Sequence, residues 1–302
     1  MSEDNQADKT SCCASCGIAG IDEVKLKDCD NCDLVHYCSD ECREDHKPEH
    51  EEACKKRAAE LRDEMLFKQP ESTHLGDCPI CCLPLSLDPS KSAIYNCCSK
   101  FICNGCSYAN QKREEGMRQQ HKCPFCREPL PKTTEELDKQ RMKRIEANDL
   151  VALCQEGEKQ LEKGSDSRAL EYLAKAAQLG DSHAHYRLVE LYRKWHGVEK
   201  DMGKEKYYLE EAAISGHPGA RCTIGTYEWI NNRNTERAVK HFIIAATQGD
   251  DDAMKMLMII FREGFLKKES LAATLRVHKA AVDATKSPER DAAEEYYRKN
   301  NS

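Results

Sequence analysis

The chain reads as mainly α: two small modules built on paired cysteines, followed by an α-solenoid of helix–turn–helix repeats. Three observations predict this. Fifteen of the nineteen cysteines fall into two blocks of paired spacing that end at Cys126. Beyond residue 150 the pairs stop, and alanine, leucine and tyrosine recur at helical spacing. That second half also repeats, with matching residue types in register around Gly180, Gly216 and Gly249, at intervals of 36 and 33 residues.

The first block runs Cys13-x2-Cys16, Cys29-x2-Cys32, Cys38-x3-Cys42 and His50-x3-Cys54. Zinc takes four ligands in a tetrahedron, and a two-residue gap lets one tight turn aim both thiolates at one ion. A three-residue gap instead places both ligands on one face of a helix, so Cys38/Cys42 and His50/Cys54 are each expected on a short helix. Four pairs supply the eight ligands that two zinc ions need. Cys12, next to Cys13, and His46, one turn before His50, are alternatives that the spacing leaves open. These residues, with the step Tyr37-Cys38-Ser39-Asp40-Glu41-Cys42, resemble the MYND zinc finger over residues 12–56. The resemblance implies interleaved pairs: Cys13, Cys16, Cys38 and Cys42 on one zinc, and Cys29, Cys32, His50 and Cys54 on the other.

The second block reads Cys78-Pro79-Ile80-Cys81, Cys97-Cys98, Cys103-x2-Cys106 and Cys123-Pro124-Phe125-Cys126-Arg127. It resembles a RING domain over residues 77–130. The resemblance implies one cross-braced site of Cys78, Cys81, Cys103 and Cys106, with Cys123 and Cys126 forming half of a second. The other half departs from the common pattern, because the histidine expected two residues after Cys98 is Lys100. A protonated lysine has no lone pair for a metal. Either Cys97 joins Cys98 in an all-thiolate site, or the second site is incomplete. RING domains hold a ubiquitin-charged conjugating enzyme, and the resemblance gives Ile80 and Pro124 the role of an apolar shelf for it. Arg127 would donate hydrogen bonds to both conjugating enzyme and ubiquitin, a task suited to a planar guanidinium. The plainer readings are that Ile80 fills the space between zinc sites, Pro124 stiffens a knuckle, and Arg127 is solvated.

Composition narrows the partners. The formal net charge is −7, so a general polyanion binder is disfavoured. Residues 12–54 carry twelve acidic and four basic side chains. Residues 78–127 carry seven basic and three acidic ones, a surplus that eight thiolates and two zinc ions remove. No nucleic-acid partner is expected. The apolar run Met254–Phe261 is broken by Lys255 and is far too short to span a bilayer. Met1–Thr10 is polar, with no apolar signal core, so the cysteines are expected reduced and the compartment cytosolic or nuclear.

In the repeats, Ala176-Ala177, Ala212-Ala213 and Ala245-Ala246 stand just before the three glycines, with Leu173, Leu209 and Phe242 one turn earlier. Ala184, Ala220 and Ala253 follow, then Leu188, Ile224 and Leu257. Each unit reads as two amphipathic helices hinged at a glycine that adopts the left-handed conformation. The pattern Ala-Ala-x-x-Gly-Asp/His resembles Sel-one-like repeats, relatives of tetratricopeptide arrays, with the solenoid placed at residues 150–296. The third repeat is read as lacking a glycine after its second helix, and the unit at Ala280-Ala281 as a cap. Tyr186, Tyr192, Trp195 and Trp229 are candidate anchors for a partner, against the simpler reading that they are core. His183, His185 and His241 have no second ligand at metal spacing, and Cys154 and Cys222 read as small buried hydrophobes.

Between modules, Glu49–Lys68 is expected to continue the first module's last helix. Thr133-x-x-Glu136 forms a capping box for a helix running towards the solenoid. The functional expectation is a zinc-dependent ubiquitin ligase with four ions, two in each cysteine module. Its RING-like module would recruit the conjugating enzyme, and the solenoid and MYND-like finger would recruit protein substrate. The alternative is a non-enzymatic adaptor. A lysine methyltransferase, another setting for MYND fingers, is disfavoured because a second zinc block occupies the region that a methyl-donor fold would need.

Overall fold

The computed structural model describes residues 12–20, 25–118, 120–193 and 201–300. It divides into two compact units, Met1–Lys68 and Gln69–Ser302.

In the first unit, β1 (Lys27–Asp28) pairs antiparallel with β2 (His36–Tyr37), and one 28-residue helix, α1 (Asp40–Phe67), follows. Ser39 caps α1 by accepting from the Cys42 amide at 3.2 Å, and Asp40 and Glu41 place negative charge in its first turn. The two short helices expected for Cys38/Cys42 and His50/Cys54 are this single helix. Cys38 stands just ahead of the cap, while Cys42, His50 and Cys54, at multiples of four residues, share one side. Pro48 lies inside α1 without ending it.

The second unit opens with the second cysteine module. Here β3 (Ser92–Tyr95) pairs antiparallel with β4 (Lys100–Cys103), in the register Ser92↔Cys103 to Tyr95↔Lys100, and α2 (Asn104–Gly116) follows directly. Its core is small: Cys78, Leu85, Ile102, Cys103 and Cys123, with Leu75, Tyr95, Phe101 and Leu130 packed around them.

The helices α3 (Thr134–Glu146), α4 (Leu150–Glu162), α5 (Asp166–Gln178), α6 (Ser182–Arg193), α7 (Met202–Ile214), α8 (Pro218–Ile230), α9 (Thr235–Thr247), α10 (Asp251–Arg262) and α11 (Lys268–Ala284) form the hairpin array. Gly180, Gly216 and Gly249 have φ of 92°, 84° and 92° and end α5, α7 and α9. The residue after each glycine caps the next helix: Asp181, His217 and Asp250 accept from the amides of Ala184, Ala220 and Ala253. The paired alanines are buried and let the helices approach closely. A fourth glycine corrects the reading of the third repeat, because Gly264 (φ 84°) follows α10 and the Phe265 amide bonds back to the Ile260 carbonyl.

Half of the expected capping box forms at α3: Thr133 accepts from the Glu136 amide at 3.2 Å, while the Glu136 carboxylate accepts from the Lys132 amide at 2.7 Å rather than from that of Thr133. α3 is not continuous with α4, since Asn148 turns left-handed (φ 55°) between them. It packs beside α4 instead, with buried Arg141 bonded to Glu156 at 2.9 Å and Asp138 to Lys159.

The last helix, α12 (Pro288–Asn300), leaves the array and packs on α2 of the cysteine module. The Tyr108 ring lies 4.8 Å from that of Tyr296, and Lys112 sits over the Tyr296 ring. Gly105 leaves the space that the Arg290 backbone occupies. Arg290 reaches across, donating to the carbonyls of Pro84 (2.6 Å) and Leu83 (3.1 Å) and to Cys81 Sγ (3.3 Å), and on its own side it donates to the Thr285 carbonyl at the end of α11 (2.8 Å).

Candidate metal centres

The described residues hold four compact cysteine-based groups of zinc-type ligands. Cys13, Cys16, Cys38 and Cys42 form the first, and Cys29, Cys32, His50 and Cys54 the second. Cys78, Cys81, Cys103 and Cys106 form the third, and Cys97, Cys98, Cys123 and Cys126 the fourth. Within each group the ligand atoms all lie within 4.8 Å of one another; among the close pairs Cys97 and Cys126 are 3.4 Å apart, Cys81 and Cys103 and Cys98 and Cys123 3.8 Å, and Cys32 Sγ is 3.2 Å from His50 Nε2. A tetrahedron with Zn–S near ~2.3 Å has an S···S edge of ~3.8 Å, whereas a disulfide would need ~2.05 Å. The donor sets therefore fit one zinc each, and none of the thiols is paired as a disulfide.

Protonation supports the same reading. The hydrogen bond from Cys103 holds the Cys78 thiol down to about 4, and the Cys16 amide holds Cys13 down to about 6. Sharing a hydrogen with Cys16 pushes Cys38 up to about 12, and burial pushes Cys54, Cys98 and Cys106 to about 12. In these groups further thiolates are too close to ionise without a cation among them. A dication replaces those protons, so metal loading competes with acid.

Short local turns aim each pair. The amides of Cys82 and Arg127 bond back to the carbonyls of Cys78 and Cys123, both with left-handed backbone (φ 54° and 66°). Cys106 is presented by the first turn of α2, where its amide donates to Cys103 Sγ at 3.5 Å. The strand pair β3–β4 carries the tight turn that holds Cys97 and Cys98. Lys100 is exposed at the start of β4, and Cys97 stands in the fourth group.

Cys12 and His46 fall outside the four cysteine-based groups. His46 Nδ1 lies 3.0 Å from the Tyr37 hydroxyl, and its ring stacks on His50 at 5.7 Å. Ile80 is exposed (41%), but Pro124 is buried, so it offers no surface for a shelf. The knuckle buries Pro124 and leaves Phe125 outward (46% exposed). Arg127 is exposed, and its Nη1 donates to Asn110 Oδ1 on α2 at 2.8 Å. Among the solenoid candidates, Tyr192 is buried against Tyr208, Trp229 packs on the core of the last repeats, and Trp195 lies outside the described residues. Tyr186 is half-buried and stacks on His217 at 4.4 Å.

Two features escape sequence reasoning. One is Arg290, which braces the third group from a helix about two hundred residues away. The other is a fifth group, His74, His183 and His217, gathered from a loop and two helix starts. No short-range spacing links its members.

The family model of the MYND finger matches residues 13–54. Comparison with curated proteins finds no match. Among solved structures, the chain is similar to c5321, a protective antigen present in uropathogenic Escherichia coli strains and displaying an SLR fold (21% identity, TM-score 0.42). That match covers 57% of this chain and 37% of c5321, so the chain spans little more than a third of its length. A Sel1 repeat protein from Oxalobacter formigenes is 20% identical, with a TM-score of 0.44, over 65% of this chain and 86% of that one. The immunity protein PA5088 from Pseudomonas aeruginosa is 20% identical, with a TM-score of 0.40, over 52% and 64%.

Proposed function

We propose that the chain is a zinc-dependent ubiquitin-protein ligase whose second cysteine module, RING-like over residues 77–130, recruits a ubiquitin-conjugating enzyme. The helical repeats and the MYND-like finger, residues 12–56, would recruit the protein substrate. One observation carries the reading: Ile80 and Phe125 stand exposed on the two knuckles, and Arg127 is fastened to Asn110 on α2. Along α2, Gly105, Tyr108 and Lys112 face α12, whereas Asn110 lies about 200° around the helix from Tyr108. The face that would meet a conjugating enzyme is thus separate from the one α12 covers.

In this reading the sixteen residues of the four cysteine groups bind four zinc ions, which supply closed, structural cross-links. Ile80 and Phe125 give apolar contact. Arg127, its guanidinium oriented by Asn110, donates to the bound enzyme and its ubiquitin, so that acceleration comes from positioning a thioester that the partner carries. The solenoid offers a groove lined by Tyr186, Gly219, Thr223, Thr226 and Tyr227 for a protein segment. No described helix is long and apolar enough to cross a membrane. Reduced zinc-bound thiols suit the cytosol or nucleus.

The departure at Lys100 favours a second reading, an adaptor in which both cysteine modules only bind proteins. Single-turnover discharge of ubiquitin from a panel of charged conjugating enzymes separates the two. Acceleration by the zinc-loaded chain that collapses in Arg127→Ala and Ile80→Glu, with zinc content unchanged, establishes the ligase. No acceleration by the fully metallated chain leaves the adaptor.

A further inference from the structure

The segment at residues 69–77, which leads into the third zinc group, lies strapped across the turns of the helical array. The Thr247 hydroxyl donates to Gln69 Oε1, Gln248 Nε2 donates to the Ser72 carbonyl, and the His74 amide donates to the Gly216 carbonyl at 3.1 Å. Gly216 permits this approach, since a Cβ there would stand 3.0 Å from the Ser72 carbonyl oxygen. The seat is aromatic. His217 is sandwiched between His74 (centroids 4.2 Å apart, 24° between planes) and Tyr186 (4.4 Å, 26°), with His183 alongside at 5.6 Å.

We propose that residues 69–77 form an acid-released strap, locked onto the helical array while the His74–His217–His183 group carries no extra proton. The lock follows from hydrogen-bond bookkeeping. His217 caps α8 through Nδ1, which accepts from the Ala220 amide at 3.2 Å, so its hydrogen sits on Nε2. That Nε2 lies 3.3 Å from His183 Nδ1, which must then accept, and His183 Nε2 donates to Glu158 at 3.0 Å. One more proton on this relay would set two N–H groups against each other or break the cap. The same bookkeeping argues against an ion among the three rings, because His217 has no lone pair left to offer, and stacked rings do not aim at one point.

The surrounding charges do not favour protonation of the strap's ring. Glu158 is shared by His183 and Arg187 (3.3 Å), and Asp181 is engaged in capping α6. Among the described residues no ion pair joins His74 or His217 to a carboxylate, and His74 Nδ1 is buried without a partner. The N-terminus of α8 points its positive end at His217. Burial, reinforced by His183, holds His74 down to about 4, and burial, reinforced by His74 and His183, holds His217 down to about 2.

Both values lie below the ordinary ~6.5, so docking is fully present above that pH and is lost as pH falls beneath it. Release of the strap frees His74 but leaves His217 capping α8, so one excluded proton counts, and docking weakens about tenfold by pH 5.5.

Hydrogen exchange on the zinc-loaded full chain at pH 7.5 and pH 5.5, corrected for intrinsic rates, tests this. Amides of residues 72–77 should open about tenfold more at pH 5.5, while α9 and α10 change little. In the double variant His74→Phe/His217→Asn the α8 cap persists, the central ring of the stack is lost and neither position can ionise; the strap should stay protected at pH 7.5 and the pH difference should vanish. Equal protection of the wild-type strap at both pH values, or a double variant as pH-sensitive as the wild type, overturns the proposal. Imidazole titration of the wild type by NMR needs no variant: His74 or His217 titrating near 6.5 in the docked chain also overturns it.

Discussion

Replacing Arg290 with alanine should unfasten α12 from the second cysteine module. The guanidinium donates to three carbonyls and to Cys81 Sγ, and it is the polar link between the start of α12 and the knuckle after Cys81. Hydrogen bonds from a charged donor are worth about 1.5–3 kcal/mol each, but four from one group do not add and the site is only half-buried, so a net loss of about 3 kcal/mol is expected. For a unit of this size that corresponds to a fall in Tm of roughly 6–12 °C. Arg290→Lys keeps the charge but not the fork that reaches several acceptors at once, and should recover about a third of the loss. The assay is thermal unfolding with a zinc-binding chromophore present, which times metal release against loss of helix. Early release of zinc in the alanine variant supports the brace. A Tm within ~1 °C of wild type, with unchanged release, would refute the reasoning, since charged hydrogen bonds that held nothing would have to be exchanged freely for water.

Gly157→Ala, normally a gain of about 1 kcal/mol within a helix, should instead destabilise by about 1–2 kcal/mol in chemical denaturation, because the added Cβ would lie 2.6 Å from Leu173 Cγ. A stabilised variant would show that α4 and α5 are not packed this closely. Cys97→Ser should remove one equivalent of zinc by mass spectrometry of the native chain, whereas Cys12→Ser should remove none; equal metal content in both variants would place the ligands elsewhere. Glu156→Gln strips the buried Arg141 of its main partner while Asp138 remains, and should cost about 2–4 kcal/mol by calorimetry, against no change if the pair were solvated.

Much of this was legible because the governing physics is local. Metal ligands at two- and three-residue gaps must share a turn or a helix face, so the cysteine pairs could be read directly. The left-handed glycines and the caps three residues before Ala184, Ala220 and Ala253 obey rules a few residues long. Longer-range outcomes were not available. Nothing near Pro124 says which of Pro124 and Phe125 a knuckle turns inward, because both are apolar; Pro124 is buried and Phe125 exposed. The ligand spacings argue for two short helices, whereas one helix, α1, runs unbroken through Pro48. The meeting of His74 with His217, and of Arg290 with Cys81, depends on how far the array curves before it returns, which no window of sequence encodes.

The return of α12 to α2 turns the number of repeats into a dimension that must be met. Linear arrays usually tolerate gaining or losing a unit, because each hairpin touches only its neighbours. Here the array spans from the module that begins it to a helix that must come back to the same module. One added hairpin would displace α12 by about two helix spacings, some ~16–20 Å, far beyond the reach of one arginine side chain. Evolution by repeat duplication, the ordinary way such proteins lengthen, is thereby closed to this one unless the clasp is abandoned. Its repeat number should accordingly behave as a fixed trait rather than a variable one.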